Sequence, residues 1–329
     1  MQDNLVLRIE DLRTYFFTRS GVVKAVDGVS FELKRGETLG VVGESGSGKS
    51  MTAWSILGLV PQPAGRIVGG EIWYMGENLL EKSSSEMRDI RGAGMCMVMQ
   101  DPLTSLNPVF NIGNQIVECL RMDSTQPAKN LISRAAHLLS RVNIPAPETR
   151  LASFPHQLSG GMRQRVVGAI AISRSPNLLI ADEPTTSLDA TIQLQYLKLL
   201  NEIQAETGTA IIFITHDLGI IARMCNRVAV MYAGKIVELA EVNELFDNAV
   251  HPYTEALLKS IPDLDLDVDH LPSIEGQPPS LDTLPTGCAF APRCPYAFDK
   301  CVEYPPSFAI GPGHISSCWR HNGANSPAQ

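Results

Sequence analysis

Residues Gly43-Glu44-Ser45-Gly46-Ser47-Gly48-Lys49-Ser50 form a G-x-x-x-x-G-K-S run. It follows the apolar stretch Thr38–Val42 and leads into a helix-like segment that ends near Leu59. A strand, a glycine turn and a helix start, in that order, constrain fold and chemistry together. The glycines let the backbone curl until successive N–H groups face one concavity, and the helix start adds partial positive charge, so the turn is built for phosphate. In such a turn Lys49 bridges the β- and γ-phosphates of a nucleotide, and the Ser50 hydroxyl ligates Mg²⁺. Gly43, Ser45, Gly46, Ser47 and Gly48 supply the surrounding cradle. The bland alternative is a structural glycine turn, and the strand and helix on either side weigh against it.

At 329 residues the chain can bury a large core and is expected to divide into a main domain and an appendage. A net charge of −8 creates no overall field for nucleic acid, so any polyanion must be bound locally. The stretch Met1 to Asp11 carries acids among its apolar residues and lacks a signal peptide's basic and apolar regions. No apolar run approaches the roughly eighteen residues needed to cross a bilayer. The expectation is a cytosolic chain. Seven cysteines in that compartment argue against disulfides as the organising chemistry.

Along the chain, Leu5 to Ile9 alternates like a strand, and Tyr15-Phe16-Phe17 follows it. These aromatics either stack on an adenine ring or pack in the core. Val29 to Leu33 and Gly70 to Gly76 also read as strands. From Asn111 to Asn143 the period changes: Ile112, Ile116, Val117 and Leu120, then Leu131, Ala135, Leu138, Leu139 and Val142, recur at three- and four-residue steps. This spacing predicts amphipathic helices, a helical subdomain (about 101–177) inserted in an α/β body. Short apolar strands resume at Leu178–Ala181, Ala210–Thr215 and Val228–Tyr232, with a helix over Thr191–Gln204, as in a parallel sheet covered on both faces. The expected organisation is a nucleotide-binding domain over 1–261, a linker over 262–287, a Cys-rich extension over 288–320 and a flexible tail over 321–329.

Leu178-Leu179-Ile180-Ala181-Asp182-Glu183 is a buried strand ending in two carboxylates. Parallel sheets offer the C-terminal ends of their strands to the ligand, so Asp182 is a candidate to hold Mg²⁺ and Glu183 to polarise the attacking water. A solvated strand end is the alternative. His216, at the end of the Ala210–Thr215 strand, is a candidate for the γ-phosphate, against the ordinary reading of a structural histidine. Gln100, after Met95–Met99, is an amide able to touch both Mg²⁺ and water. Ser159-Gly160-Gly161 opens another helix and forms a second anion site. One chain rarely needs two such sites for one nucleotide, so this one is expected to close over a nucleotide held by another subunit.

In order and spacing these motifs resemble the nucleotide-binding subunits of ATP-binding cassette (ABC) transporters, a P-loop NTPase fold. Walker A is Gly43–Ser50, the Q-loop Gln100, the signature Leu158 to Gln164, Walker B Leu178–Glu183, the D-loop Ser187-Leu188-Asp189 and the H-loop His216. The resemblance implies that Phe16, or else Tyr15, stacks on adenine. It implies that Met51, where the family often has Thr, contacts the α-phosphate by backbone alone. It also implies that Ser159, Gly160, Gly161, Gln164 and Asp189 act on the partner's ATP. Gln100-Asp101-Pro102-Leu103, His251-Pro252-Tyr253-Thr254 and Gly287-Cys288-Ala289-Phe290-Ala291-Pro292-Arg293-Cys294-Pro295 are similar to the dipeptide/oligopeptide/nickel importer branch, its D-type subunits above all. The implied partners are two membrane-spanning permeases, a second ATPase subunit of F type and an extracytoplasmic peptide-binding protein, with no nucleic acid. The implied location is peripheral, on the cytoplasmic face of the inner membrane.

Cys288-x₅-Cys294-x₆-Cys301-x₁₆-Cys318 sets four soft ligands in a Pro-rich segment without an obvious core. C-x₂-C pairs typical of zinc ribbons are absent, and thiolates at wider spacing can hold an iron–sulfur cube. The importer branch carries such a [4Fe-4S] cluster, while Zn²⁺ and unligated thiols stay open as alternatives. The leading functional expectation is an ATP-hydrolysing peptide-importer subunit. The alternatives are a soluble ABC-type ATPase acting on nucleic acid or ribosomes, and a redox-sensing role for the cysteine segment.

Overall fold

Val29, Phe31 and Leu33 are buried, and Ser30 and Glu32 between them on the same strand are exposed, the period-two pattern of a sheet with one face on a core. The computed structural model describes residues 4–99, 105–122, 127–186, 188–261 and 273–322. The chain forms two compact units, one of Met1–Val6, Lys34–Glu37 and Glu81–Phe213, the other of Leu7–Leu33, Thr38–Leu80 and Ile214–Gln329.

In the second unit, strands Gly21–Lys34, Leu5–Thr18, Gly65–Tyr74 and Glu77–Asn78 lie side by side in that order. Leu5–Thr18 runs antiparallel to Gly65–Tyr74, with Leu7 opposite Tyr74 and Ile9 opposite Ile72. The strand predicted over Leu5–Ile9 thus continues to Thr18, through a register shift near Arg13. A further row in this unit runs Phe308–Gly311, His314–Ser316, Lys235–Glu241, Arg227–Tyr232 and Thr38–Val42. Thr38–Val42 is buried at every residue and pairs parallel with Arg227–Tyr232. Phe308–Gly311 and His314–Ser316 form an antiparallel hairpin, and Leu239 pairs with Ile315. The extension expected to be irregular therefore contributes two short strands, while Cys301 lies in the 3₁₀ segment Asp299–Val302 and Cys288, Cys294 and Cys318 lie in irregular backbone. Glu238, 0 % exposed, helps fix this edge: its carboxylate accepts from the Val250 and His251 amides and contacts His314 Nε2 at 2.8 Å.

In the first unit, strands Ala210–Ile214, Leu178–Asp182 and Met95–Val98 lie in that order, the last two parallel. The predicted helical insertion contains helices Ile112–Arg121 and Ala128–Arg141. Their buried residues are Ile112, Ile116, Val117 and Leu120, and Leu131, Ala135, Leu138 and Leu139, the apolar positions of the sequence period. Asn111 starts the first helix, its side chain accepting the Asn114 N–H at 2.7 Å. Helices Gly160–Ile172 and Ala190–Thr207 complete the elements that carry candidate residues, the latter ending at Gly208 in the left-handed region (φ 69°).

Candidate functional site

The phosphate-type turn joins the buried strand Thr38–Val42 to the helix Lys49–Ile56. Two of its glycines are required by space as well as by backbone angle. A Cβ on Gly43 (φ 145°) would sit 2.1 Å from the Met231 carbonyl, and one on Gly48 (φ 103°) 2.3 Å from the Ala25 carbonyl. Lys49 is buried, and its Nζ donates to the carbonyls of Gly43 at 2.7 Å and Glu44 at 2.9 Å. The amine thus lies inside the turn. Ser47 is buried, while Ser45, Gly46 and Ser50 are exposed and Met51 is half-buried on the helix. A cavity of about 330 Å³ opens beside Glu44–Ser47, bounded by Tyr232, Ala233 and Pro278–Leu281, a size suited to a small ligand.

His216 belongs to the same unit. It is exposed, and the N–H of Thr215 before it donates to Val41 O at 3.3 Å, which sets the end of this segment beside the strand entering the turn. Asp217, next along, caps the helix Leu218–Met224 by accepting from the Gly219 and Ile220 amides. Of the two candidate aromatics, Tyr15 is engaged by its hydroxyl, which donates to Asp27 Oδ1 at 2.6 Å. Burial and that bond push its phenol up to about 12. Phe16 is half-buried with its ring against Gly65.

In the other unit, Asp182 ends its buried strand and is itself buried. Glu183 follows with φ 47°, a conformation costly for a residue with a Cβ and found at functional sites more than elsewhere. Its carboxylate accepts from Thr186 Oγ1 at 3.1 Å. Ser159 is the N-cap of Gly160–Ile172, its Oγ accepting the Met162 N–H at 3.3 Å. Gly160 is exposed and a Cβ there would meet nothing within 4 Å, whereas one on Gly161 would lie 3.3 Å from Ile192. Asp189 caps the helix Ala190–Thr207, accepting from the Thr191 and Ile192 amides. Gln164 differs from expectation: it is 1 % exposed, so its amide is not presented at a surface where another subunit's nucleotide could reach it. It lies in a stretch of its helix, residues 164–169, that is buried at every position. Gln100 and Ser187 lie outside the described residues.

Cys288, Cys294, Cys301 and Cys318 are free thiols that line one cavity together with His251 and Phe290. The Cys288 N–H donates to Cys301 O at 2.9 Å, which ties two of the thiol-bearing segments together. Burial raises the Cys288 and Cys294 thiols and pushes Cys318 up to about 11. Among the described residues no group of three or more His, Cys, Asp or Glu side chains is arranged to hold a metal ion. Cys96, Cys119 and Cys225 stand apart, and burial raises each of them, in line with small apolar packing.

The residues that sequence reasoning missed are Arg293 and Tyr253. The Tyr253 hydroxyl accepts the Glu44 N–H at 2.9 Å, and the Arg293 fork grips the Glu44 carboxylate. Both belong to motifs quoted for their resemblance, but nothing local signals a contact 249 residues distant.

Residues 26–186 match the ABC transporter family, and residues 237–301 match the oligopeptide/dipeptide transporter C-terminal region. A probable peptide ABC transporter ATP-binding protein, y4tR of Sinorhizobium fredii, is 49 % identical over 98 % of both chains. The chain belongs to the ABC transporter ATP-binding proteins. It is similar within that family to the dipeptide transport ATP-binding protein DppD of Bacillus subtilis, 47 % identical over 95 % of this chain and 94 % of that one. The oligopeptide transport ATP-binding protein OppD of Salmonella typhimurium is 44 % identical over 96 % and 94 %. Among solved structures, CbiO1 from Clostridium perfringens, part of the ABC transporter complex CbiONQ, covers 74 % of this chain and 92 % of its own at 27 % identity and TM-score 0.64. The dimeric ATP-binding cassette MJ0796 bound to ADP and Pi shares the fold, with TM-score 0.65 at 24 % identity over 72 % and 98 %. The α/β P-loop NTPase fold and an ATPase activity coupled to transport follow from this membership. The alternative of an ATPase acting on nucleic acid or ribosomes is set aside, because these relatives are transport proteins. No helix among the described residues is long and apolar enough to cross a membrane.

Proposed function

We propose that this chain is the ATP-hydrolysing subunit of a peptide importer, peripheral on the cytoplasmic face of the inner membrane and working through membrane-spanning permeases and an extracytoplasmic peptide-binding protein. The observation that carries the reading is a phosphate turn with a buried lysine amine inside it, on a chain nearly half identical to peptide-transport ATP-binding proteins along its whole length. Lys49 and the turn amides hold the triphosphate, with Gly43, Ser45, Gly46, Ser47, Gly48 and Met51 as backbone and Phe16, or else Tyr15, on the adenine. Ser50, Gln100 and Asp182 would hold Mg²⁺, which offsets the charge of the phosphates. Glu183 orients and polarises the attacking water, and His216 contacts the γ-phosphate.

Ser159, Gly160, Gly161 and Asp189 serve a nucleotide bound by a second ATPase subunit, for which an F-type relative is the finer reading. The exposure of Gly160 at this helix start supports this role, and the burial of Gln164 removes that side chain from it. The nucleotide-binding domain is taken as residues 1–261, with the Cys-rich segment as its appendage. For that segment the finer reading is a [4Fe-4S] cluster held by Cys288, Cys294, Cys301 and Cys318. Four thiols among the residues that line one cavity are the soft ligand set that an iron–sulfur cluster takes, which supports this reading.

The test is reconstitution of the complex purified anaerobically from membranes, with labelled peptide uptake, ATP hydrolysis, iron and sulfide measured on one preparation. The reading predicts permeases in the preparation and ATP-dependent uptake that Lys49→Ala abolishes. Recovery with nucleic acid and without permeases would overturn it. Iron and sulfide near four per subunit would support the cluster, and zinc or neither would remove it.

A further inference from the structure

Glu44 is an acid in the second position of the turn that receives the triphosphate, and it lines the cavity beside that turn. A carboxylate there repels phosphate oxygens through a partly buried path, where screening by water is weak. Arg293 meets this charge. Its Nη1 contacts Glu44 Oε2 at 2.7 Å and its Nη2 contacts Oε1 at 3.0 Å, the two-pronged geometry of the strongest carboxylate pairs.

The other donors of the guanidinium are taken as well. Nε donates to Glu275 O at 2.9 Å, Nη1 to the Tyr232 hydroxyl at 3.2 Å and Nη2 to Ile274 O at 3.2 Å. All five N–H groups therefore have acceptors, and the side chain is only 5 % exposed. Phe290 and Tyr232 flank it, each ring centre 5.9 Å from the guanidinium carbon. Glu44 is fixed from the other side too, since its N–H donates to the Tyr253 hydroxyl. Such a buried, fully bonded arginine leaves little freedom for the carboxylate to swing toward a ligand.

On the nucleotide reading given above, we propose that Arg293 is a positioning residue for ATP. It neutralises Glu44 and draws its carboxylate away from the triphosphate, so the segment carrying Cys288 and Cys294 sets the nucleotide affinity of the phosphate turn. Arg293 does not touch the nucleotide and acts through Glu44. This differs from a merely structural clamp in one respect: removing the acid compensates for removing the arginine.

Equilibrium titration of the purified full-length chain with trinitrophenyl-ATP and Mg²⁺ tests this, with thermal melting followed by circular dichroism. Arg293→Gln is expected to weaken binding about ten-fold, the effect of exposing one unpaired charge at partly buried range. The double variant Glu44→Gln/Arg293→Gln is expected to bind within about two-fold of the parent chain, and Glu44→Gln alone not to weaken binding. Arg293→Lys, which keeps the charge but loses the fork, should fall between parent and Arg293→Gln. Should Arg293→Gln not fold, the comparison of Arg293→Lys with Glu44→Gln/Arg293→Lys decides in the same way. Unchanged binding in Arg293→Gln, or a double variant as weak as the single, would overturn the proposal. A parent chain that binds no nucleotide would instead overturn the reading on which it rests.

Discussion

Lys49 donates to two carbonyls of its own turn, positions from which its amine must turn to phosphate oxygens when a nucleotide enters. Lys49→Ala should therefore raise the Kd for MgATP at least ten-fold, checked by the same titration, and Lys49→Arg should not restore it, because a planar fork does not replace a compact ammonium in a buried turn. Glu183→Gln keeps the shape of the side chain and removes its basicity. We expect a fall in kcat of about 10²-fold or more with ATP binding retained, measured as single-turnover hydrolysis. Asp27 gives a prediction of another kind. Burial pushes its carboxyl up, but hydrogen bonds from Tyr15 and Lys235, with the lysine's charge, outweigh burial and leave it below its ordinary value. A depressed carboxyl contributes stability above its unfolded pKa and loses it as pH falls through the folded one. Asp27→Asn should thus destabilise the chain at neutral pH and flatten the acid side of a melting-temperature profile below about pH 4.

At the scale of elements, apolar period was the most legible signal. Three- and four-residue spacing between Asn111 and Asn143 marked helices whose buried faces are those residues, because an amphipathic helix has one way to hide such a stripe. Leu139, 0 % exposed, should cost about 2–5 kcal/mol when cut to Ala, read as a fall in the midpoint of urea denaturation, whereas exposed Ile132 on the same helix should cost far less. The phosphate turn was legible because its glycines answer to local backbone geometry. What could not be read was set by pairing between distant segments. The hairpin Phe308–Ser316 joins the sheet edge at Lys235–Glu241, and Arg293 reaches Glu44, yet neither stretch carries a period or a motif that names its partner. Gln164 shows the opposite error. It lies inside a recognisable motif, but three-dimensional burial, not sequence order, decides which of that motif's side chains face outward.

For the whole molecule, the candidate residues divide between two compact units, Lys49, Ser50 and His216 in one and Ser159, Asp182 and Glu183 in the other. On the proposed function, the exposed helix start at Gly160, on a chain that already has one phosphate turn, serves a nucleotide shared between subunits. ATP then acts by binding the closed arrangement better than the open one, which is the only way a ligand moves such an equilibrium. The most direct measurement is a structure of the membrane complex carrying Glu183→Gln, trapped with Mg²⁺ and ATP. The account predicts the triphosphate on the Lys49 turn facing a helix start of the second ATPase, and the Ser159 helix start of this chain against the nucleotide bound by that second subunit. A closed complex in which the Ser159 helix start lies far from every triphosphate would contradict it.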